Sequence, residues 1–127
     1  MAHILVIDDD SDVRVVVQDM LEAAGHEVTF AANGRDGFEA NRRRPADLVV
    51  TDIFMPNQEG FETIRDLKRE FPAVKIIVMS GGSRSIGTAP YFLAATALGA
   101  DAVLTKPFGA TTLLGEIDRL LQQPGAG

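Results

Sequence analysis

A chain of 127 residues, 46% of them hydrophobic, has room for one compact domain with an ordinary core, but not for a second domain of usual size. The absence of cysteine excludes disulfides and thiolate metal sites and favours a cytoplasmic location, and a net charge of −6 argues against nucleic-acid binding. No apolar run reaches about 18 residues, so we expect no membrane span, and the start lacks the basic region of a signal peptide.

The chain begins with a short apolar run, His3–Ile7, that ends at a group of acids. Its β-branched residues and its length predict a buried parallel strand. Beyond the acids, apolar residues recur at helical spacing as far as Ala24, and Gly25 is placed to end this helix. Asp10 or Ser11 is the expected N-cap.

The alternation of strand and helix continues through the middle of the chain. Glu27–Ala31 predicts a second strand. Asn33 is placed to cap a weaker helix, which has to stop before Pro45. Leu48–Thr51 predicts a third strand that runs directly into Asp52.

The second half of the chain repeats the pattern. A helix with four apolar residues on one side is closed by Pro72, and Ile76–Met79 predicts the fourth strand. A helix over Tyr91–Leu98 precedes a fifth strand over Ala102–Thr105. The last helix is indicated by leucine and isoleucine residues at helical spacing from Leu113 onward.

Regular alternation of strand and helix predicts an α/β fold, a doubly wound parallel sheet with right-handed crossovers and helices on both faces. In such sheets ligands bind beyond the carboxyl ends of the strands, at the point where the strand order reverses. The residues that follow each predicted strand are therefore the candidates for a functional site.

Polar residues stand at four of the predicted strand ends, at Asp8, Asp9, Asp52, Ser80 and Lys106. If the strand order is 2-1-3-4-5, the first and third strands are neighbours and the three aspartates share one pocket. Carboxylates at such short range repel one another unless a cation is present, and an all-oxygen cluster suits Mg²⁺. An aspartate can attack phosphorus to form an acyl phosphate, while a lysine ammonium and a serine hydroxyl contact the phosphoryl oxygens.

The sequence around these residues resembles the response-regulator receiver family, over nearly the whole chain from Ile4 to about Leu121. The matching stretches are Ile4–Asp10, Thr51–Pro56, Gly60, Met79–Gly81, Gly99–Asp101 and Leu104–Phe108. The resemblance implies a flavodoxin-like five-stranded sheet of order 2-1-3-4-5. It also implies a phosphoacceptor signalling switch with self-catalysed phosphorylation and dephosphorylation, and not a dedicated enzyme.

The same resemblance implies a role for each residue at the strand ends. Asp52 would be the phosphoacceptor, and Ser80 and Lys106 would contact the phosphoryl group. The cofactor would be Mg²⁺, and its ligands would be Asp9, Asp52, the carbonyl of Phe54 and, through a water molecule, Asp8.

The resemblance further implies protein partners. The phosphoryl donor would be a sensor histidine kinase or a histidine phosphotransfer protein that docks near the first helix, around Arg14 and Val17. We expect residues 1–122 to form the receiver domain and residues 123–127 a short disordered tail, with no output domain. The output would then be an unidentified protein target, and neither nucleic acid nor a membrane is an expected partner.

Two features depart from the usual pattern of the family. Val103 stands where the fifth strand commonly carries an aromatic residue that follows the position of the strand-four hydroxyl. The stretch from Ser80 to Lys106 is also about four residues longer than usual, and the excess falls either in the segment Gly81–Pro90 or at the start of the fourth helix. We hypothesise that this segment and Tyr91 carry part of the response to phosphorylation in place of Val103.

Two other functions are compatible with parts of the pattern. A phosphatase resembling the haloacid dehalogenases would use Asp8 as nucleophile and Asp10 as general acid. Such an enzyme needs another acidic pair at a later strand end, and after Lys106 the only acids are Glu116 and Asp118, on the final helix. A pseudo-receiver would keep the fold without the chemistry, and the intact set of polar strand-end residues counts against it.

Other conspicuous residues are interpreted as structural. Arg42–Arg44 is read as a solvated helix end that complements the helix dipole, in preference to a patch for an anionic partner. His3 and His26 lack ligand-like neighbours in sequence. The valine, leucine and phenylalanine residues at helical spacing are assigned to the core.

Overall fold

The computed structural model of the protein describes residues 2–53, 59–80, 88–106 and 108–122. Within them lie five strands, β1 to β5: His3–Ile7, Glu27–Ala31, Leu48–Asp52, Lys75–Ser80 and Ala102–Thr105. Helices α1 to α5 alternate with the strands and cover Ser11–Ala23, Gly34–Arg43, Glu59–Glu70, Thr88–Leu98 and Ala110–Gln122. None of the helices in these ranges is long and apolar enough to cross a membrane.

The strands form one sheet in the order β2-β1-β3-β4-β5, and all neighbouring pairs are parallel. The predicted α/β fold, its doubly wound five-stranded sheet and its strand order are therefore confirmed. The predicted bounds agree closely with the structure except at α4, which begins at Thr88, before the expected Tyr91. Pro90 lies in the first turn of this helix, where a missing backbone N–H removes no helical hydrogen bond.

The sheet separates two apolar cores, because alternate residues of its strands point to opposite faces. Leu5, Val49 and Val78 belong to one buried cluster, whereas Ile4 and Val50 belong to the other. Since both faces are covered, β3 and β4 are buried at every position, as their apolar sequences indicate. The carboxyl ends of the central strands are consequently held in a rigid frame.

The helix ends follow from local hydrogen bonding. Of the two N-cap candidates for α1, the structure selects Asp10, whose Oδ1 accepts a hydrogen bond from the backbone N–H of Asp12 at 2.9 Å. Asn33 caps α2 as predicted, accepting from the backbone N–H of Asp36 at 2.8 Å. Gly25 follows α1 with φ +90°, a conformation that favours glycine over other residues.

The residues that were interpreted as structural have partners away from the strand ends. Arg42 pairs with Glu39 at 3.6 Å, Arg44 pairs with Glu27, and the His3 ring contacts Thr29 Oγ1 at 2.6 Å. The backbone N–H of Ala2 donates to Nδ1 of His26 at 3.2 Å. These contacts suit a structural role for both histidines.

A half-buried ion pair joins α3 to the start of β4 and to the loop before β5. Asp101 Oδ2 accepts from Lys68 Nζ at 2.9 Å and from the backbone N–H of Ile76 at 2.8 Å. Lys68 Nζ also donates to the carbonyl oxygen of Val74 at 2.7 Å, and its aliphatic stem lies against Gly99, where a Cβ would come within 2.7 Å of Cγ. We call this arrangement the Lys68–Asp101 clasp.

The clasp predicts a measurable loss of stability in Asp101→Ala. The Ile76 N–H loses its side-chain acceptor, and the half-buried Lys68 ammonium loses its carboxylate partner and keeps the Val74 carbonyl, which together costs about 1–3 kcal/mol in the free energy of unfolding. Urea denaturation followed by circular dichroism measures this difference. Asp66→Ala, which removes an exposed carboxylate beside Arg65, is the matched control and should change stability by less than about 0.5 kcal/mol. Equal effects of the two substitutions would contradict the assignment.

Candidate functional site

Parallel pairing brings the polar strand-end residues to one edge of the sheet. Asp8 directly follows β1, Asp52 and Ser80 are the last residues of β3 and β4, and Lys106 directly follows β5. The register pairs Ile7 with Thr51, so that Asp8 and Asp52 continue side by side. The fold alone therefore places these four residues at the carboxyl ends of β1, β3, β4 and β5.

Lys106 connects the two buried aspartates. Its Nζ lies 3.1 Å from Asp8 Oδ2 and 3.4 Å from Asp52 Oδ2. The backbone N–H of Lys106 donates to the carbonyl oxygen of Ser80 at 2.7 Å, so the β4–β5 pairing positions the lysine backbone. Lys106 is separated from Asp8 by 98 positions in sequence, and the sheet brings them into contact.

Asp8, Asp9 and Asp52 form a cluster that could hold a cation. Each offers a carboxylate oxygen, and these oxygens lie within 4.8 Å of one another. Asp8 and Asp52 are buried, at 0% and 6% exposure, whereas Asp9 is exposed and leaves the cluster open to solvent. A hard divalent ion such as Mg²⁺ suits this donor set, because the three side-chain ligands of the cluster are carboxylate oxygens. Phe54, the predicted carbonyl ligand, lies outside the described residues.

The buried charges at this edge of the sheet shift the pKa values of two groups. Burial raises the pKa of the Asp8 carboxyl, although the hydrogen bond from the Asp10 N–H at 2.8 Å and the nearby Lys106 ammonium act in the opposite direction. Burial by itself would lower the pKa of Lys106, but attraction to Asp52 and Asp8 outweighs it, and the net shift is upward. The lysine is therefore charged at neutral pH. The ionised form of Asp8 is less favoured in the folded protein than in the unfolded chain.

The raised pKa of Asp8 predicts a stability effect of Asp8→Asn. The folded state binds the Asp8 proton more tightly than the unfolded chain does, so this carboxyl lowers stability as the pH rises from its ordinary value through the raised one. At pH 7 and without metal, we therefore expect Asp8→Asn to have a larger free energy of unfolding than the wild type.

The same variant should respond less to Mg²⁺, because one member of the acid cluster is neutral. A wild type that binds Mg²⁺ in this cluster should gain about 2.7 kcal/mol in the free energy of unfolding when free Mg²⁺ exceeds the dissociation constant a hundredfold. Denaturation with and without Mg²⁺ measures this gain, and Asp19→Asn, at an exposed position of α1, is the matched control. An undiminished Mg²⁺ response in Asp8→Asn would argue against Asp8 as part of a cation site.

Ser80 adds a hydroxyl to this edge of the sheet. It is fully buried, and its Oγ has no hydrogen-bond partner among the described residues. An unsatisfied buried hydroxyl destabilises a fold by about 1–3 kcal/mol, so such a group calls for an explanation. A hydroxyl at the end of β4, the strand between those that lead to Asp52 and Lys106, is suited to donate to an incoming oxyanion.

An apolar hollow opens beside the strand-end residues, between α1 and the residues that follow β5. It has a volume of about 270 Å³, and its lining consists of Val13, Val16, Val17, Met20 and Phe108 together with the charged residues Asp12 and Lys106. The assignment of Val16 to the core was wrong, since this side chain is 52% exposed. Three consecutive valines in one helix cannot all face inward, and this signal in Val15–Val17 could have indicated a surface role.

Several sequence-based expectations fall on residues that the structure does not describe. Phe54, residues 81–87 and the tail 123–127 lie outside the described ranges, as do the side chains of residues 88–92. The hypothesis on the longer loop and Tyr91 therefore stays a prediction. Val103 is described, and it packs partly buried against one of the two core clusters.

Comparisons with known proteins all identify response regulators as the similar proteins. Residues 4–118 match the family model described as response regulator receiver domain. The chain is 34% identical to the response regulator receiver protein CpdR of Brucella abortus, with 95% of this chain and 98% of that protein covered. It is 36% identical to the DNA-binding transcriptional regulator NtrC of Rhizobium meliloti, covering 97% of this chain but only 25% of that protein.

Solved structures agree with the sequence matches. The chemotaxis response regulator CheY4 of Vibrio cholerae superposes with a TM-score of 0.82 at 30% identity, covering 94% of this chain and 98% of that one. The chain thus spans the whole of some relatives and about a quarter of others.

Proposed function

Because the chain belongs to the response regulator receiver domain family, whose members are signalling switches of two-component systems, we propose that it accepts a phosphoryl group on Asp52. The observation that carries this proposal is the position of Asp52. It ends the central strand β3, its Oδ2 lies 3.4 Å from Lys106 Nζ, and its carboxylate belongs to the three-aspartate cluster. A carboxylate with a cation on one side and a metal-binding cluster on the other is suited to attack phosphorus.

In the proposed reaction, an O–P bond forms to Asp52 while the N–P bond of a donor phosphohistidine breaks, and that bond's electron pair stays with the imidazole nitrogen. Mg²⁺, held by Asp8, Asp9, Asp52 and the carbonyl of Phe54, would neutralise phosphoryl charge when bound. The Lys106 ammonium neutralises a second phosphoryl oxygen, and the Ser80 hydroxyl, which has no hydrogen-bond partner within the described ranges, donates to another.

Phosphorylation would then change the surface of the protein. The added negative charge attracts Lys106, which follows β5, and Ser80, which ends β4. Both residues are drawn toward Asp52. The surface formed by α4, β5 and α5 responds to this movement and binds a downstream protein. In the same proposal, the protein catalyses its own phosphorylation and dephosphorylation and acts as a switch, not as a dedicated enzyme.

The phosphoryl donor would dock on α1. The apolar hollow lined in part by Lys106 and by the exposed Val16 gives a histidine kinase or phosphotransfer protein an apolar contact near Asp52, which lies 3.4 Å from the Lys106 ammonium. This refines the expected docking region around Arg14 and Val17. Residues 1–122 as the receiver domain, an unidentified protein as target and a cytoplasmic location are parts of the same proposal.

The phosphatase alternative is poorly supported by the geometry. Asp8 is buried, and both of its oxygens are engaged, one by the Asp10 N–H and the other by Lys106. Glu116 bonds with Arg119 on α5, and Asp118 is exposed on the same helix, so neither offers an acid at a strand end. The match to the receiver family removes the remaining reason to prefer this alternative.

Mapping of the acyl phosphate tests the proposal. The protein is incubated with acetyl phosphate and Mg²⁺, the product is reduced with borohydride to fix the position of the acyl phosphate, and peptides are analysed by mass spectrometry. We expect modification at Asp52. Modification at Asp8 would support the phosphatase mechanism, and failure to incorporate phosphate from acetyl phosphate or a cognate kinase would support a pseudo-receiver.

A further inference from the structure

Strand β2 lies at one edge of the sheet, and its outer side has no neighbouring strand among the described residues. The Glu27 N–H donates to the carbonyl oxygen of Ala2 at 2.9 Å, so the backbone of Glu27 faces the interior of the sheet. Successive residues of a strand turn their N–H and C=O groups to opposite sides. The backbone groups of Val28 and Phe30 therefore face outward, at the open edge.

This edge lacks the features that ordinarily keep an exposed strand from pairing with another chain. Such features include lysine or proline in the strand and a bulge that twists it away. The five residues of β2 contain neither lysine nor proline, and all of them pair with β1 in regular register. The single charged residue of the strand, Glu27, is neutralised by an ion pair with Arg44. The strand therefore presents no unbalanced charge to a second strand.

Exposed apolar side chains lie beside the open backbone of β2. Phe30 is 38% exposed, and Val15 of the adjacent helix α1 is 55% exposed. These two residues line a hollow of about 250 Å³, which they share with Ser11, Arg14 and Gln18. The hollow is smaller than the pockets of roughly 300 Å³ or more that hold small-molecule ligands, so it is better suited to a single side chain of another protein molecule.

We propose that β2 pairs in antiparallel orientation with β2 of a second copy of the chain, and that this pairing joins the two sheets into one. A two-fold axis at Thr29 places Val28 of each copy opposite Phe30 of the other. Both residues have outward-facing backbone groups, so each such pair exchanges two N–H···O bonds. The edge is complementary to itself because its two outward-facing residues lie on either side of Thr29.

The side chains of β2 favour a second copy over an extended segment of a different protein. In this register Phe30 of each copy lies beside Val28 of the other, and pairs of an aromatic and a β-branched residue stabilise adjacent strands. On the opposite face, Glu27 lies opposite Ala31 of the other copy and not opposite its Glu27. The like charges are thereby kept apart, whereas directly opposed they would be destabilising.

The short length of β2 predicts a weak dimer. Five residues span about 17 Å, and the contact is smaller than the roughly 800 Å² that each partner contributes to a stable complex. We therefore expect a dissociation constant between about 10 μM and 1 mM. The pairing uses no residue of the three-aspartate cluster, so this inference does not depend on the proposed function.

Sedimentation equilibrium at protein concentrations up to about 1 mM tests the proposal. We expect concentration-dependent dimers of the wild type and at least about tenfold weaker association of Phe30→Lys, because a lysine on an edge strand opposes pairing. Leu93→Lys, which adds the same charge on α4 at a residue that is 73% exposed, is the matched control and should associate like the wild type. Both side chains are exposed, so both variants should keep their fold, which circular dichroism verifies.

The absence of native cysteine permits a second measurement, which depends on the register of the pairing. Thr29 would lie opposite Thr29 of the other copy in a pair without hydrogen bonds, where Cα atoms are about 4.5 Å apart. This distance falls within the range of about 4.4–6.8 Å that a disulfide spans. Under mild oxidation, we therefore expect Thr29→Cys to form disulfide-linked dimers at least about tenfold faster than Ala97→Cys, at an exposed position of α4.

Three results would each overturn the proposal. The first is a wild type that stays monomeric at all concentrations. The second is an equal loss of association in Phe30→Lys and Leu93→Lys, which would place the contact elsewhere. The third is a Thr29→Cys variant that keeps its fold but forms dimers no faster than Ala97→Cys.

Discussion

Asp52→Asn is expected to reduce phosphate incorporation from acetyl phosphate and Mg²⁺ by at least about 100-fold, because a carboxamide does not form the acyl phosphate. The substitution preserves the shape of a side chain that is 6% exposed, and it removes one of three clustered negative charges. The free energy of unfolding should therefore be unchanged or higher. Radiolabel incorporation and denaturant titration on the same preparation measure the two effects.

The control for this variant is Asp66→Asn, an exposed acid of α3 beside Arg65. It should incorporate phosphate like the wild type. Incorporation by Asp52→Asn at a comparable rate would refute the assignment of the phosphoacceptor. Loss of incorporation accompanied by loss of structure would indicate a folding defect, and circular dichroism separates this outcome from a chemical one.

Lys106→Ala is expected to uncouple metal binding from the conformational response. Its ammonium lies 3.1 Å from Asp8 Oδ2 and 3.4 Å from Asp52 Oδ2, where it would compete with a divalent cation for the same carboxylates. Without it, Mg²⁺ affinity should rise by on the order of tenfold, equal to about 1.4 kcal/mol. The metal-free variant should be less stable than the wild type, since buried Asp8 loses its counter-charge, and Mg²⁺ should restore the loss.

The same variant should lack the response to a phosphoryl mimic. Beryllofluoride should shift amide resonances at the ends of β4 and β5 and along α4 in the wild type, because Lys106 joins these elements to Asp52. In Lys106→Ala the shifts should be confined to the neighbourhood of Asp52. Arg43→Ala, at an exposed position at the end of α2, is the matched control. Wild-type shifts in Lys106→Ala would show that the lysine does not transmit the signal.

These variants address different parts of one arrangement. Asp52 is the proposed site of bond formation, Lys106 compensates charge and couples the strands, and Asp8 belongs to the cation cluster.

Much of the fold was predictable from local patterns. Runs such as His3–Ile7 and Leu48–Thr51 are short, rich in β-branched residues and followed by aspartate, so they indicate buried strands without any knowledge of their neighbours. Asn33 and Gly25 mark helix ends, because capping and positive φ depend on a few adjacent residues. The predicted candidate site was similarly accessible, since parallel strands of a doubly wound sheet carry their carboxyl-terminal residues to one edge.

Only the tertiary structure decided which side chains meet and which surfaces stay open. The contact between Lys106 and Asp8 spans 98 positions, and the Lys68–Asp101 clasp joins residues that the sequence gives no reason to pair. The exposure of Val16 and Leu93 likewise depends on how far neighbouring elements cover α1 and α4. The periodicity of apolar residues reflects only the local geometry of a helix or strand. Contacts and exposure arise from packing between segments that are distant in sequence. The sequence therefore predicted the candidate site, but not its hydrogen bonds or the apolar surfaces of the protein.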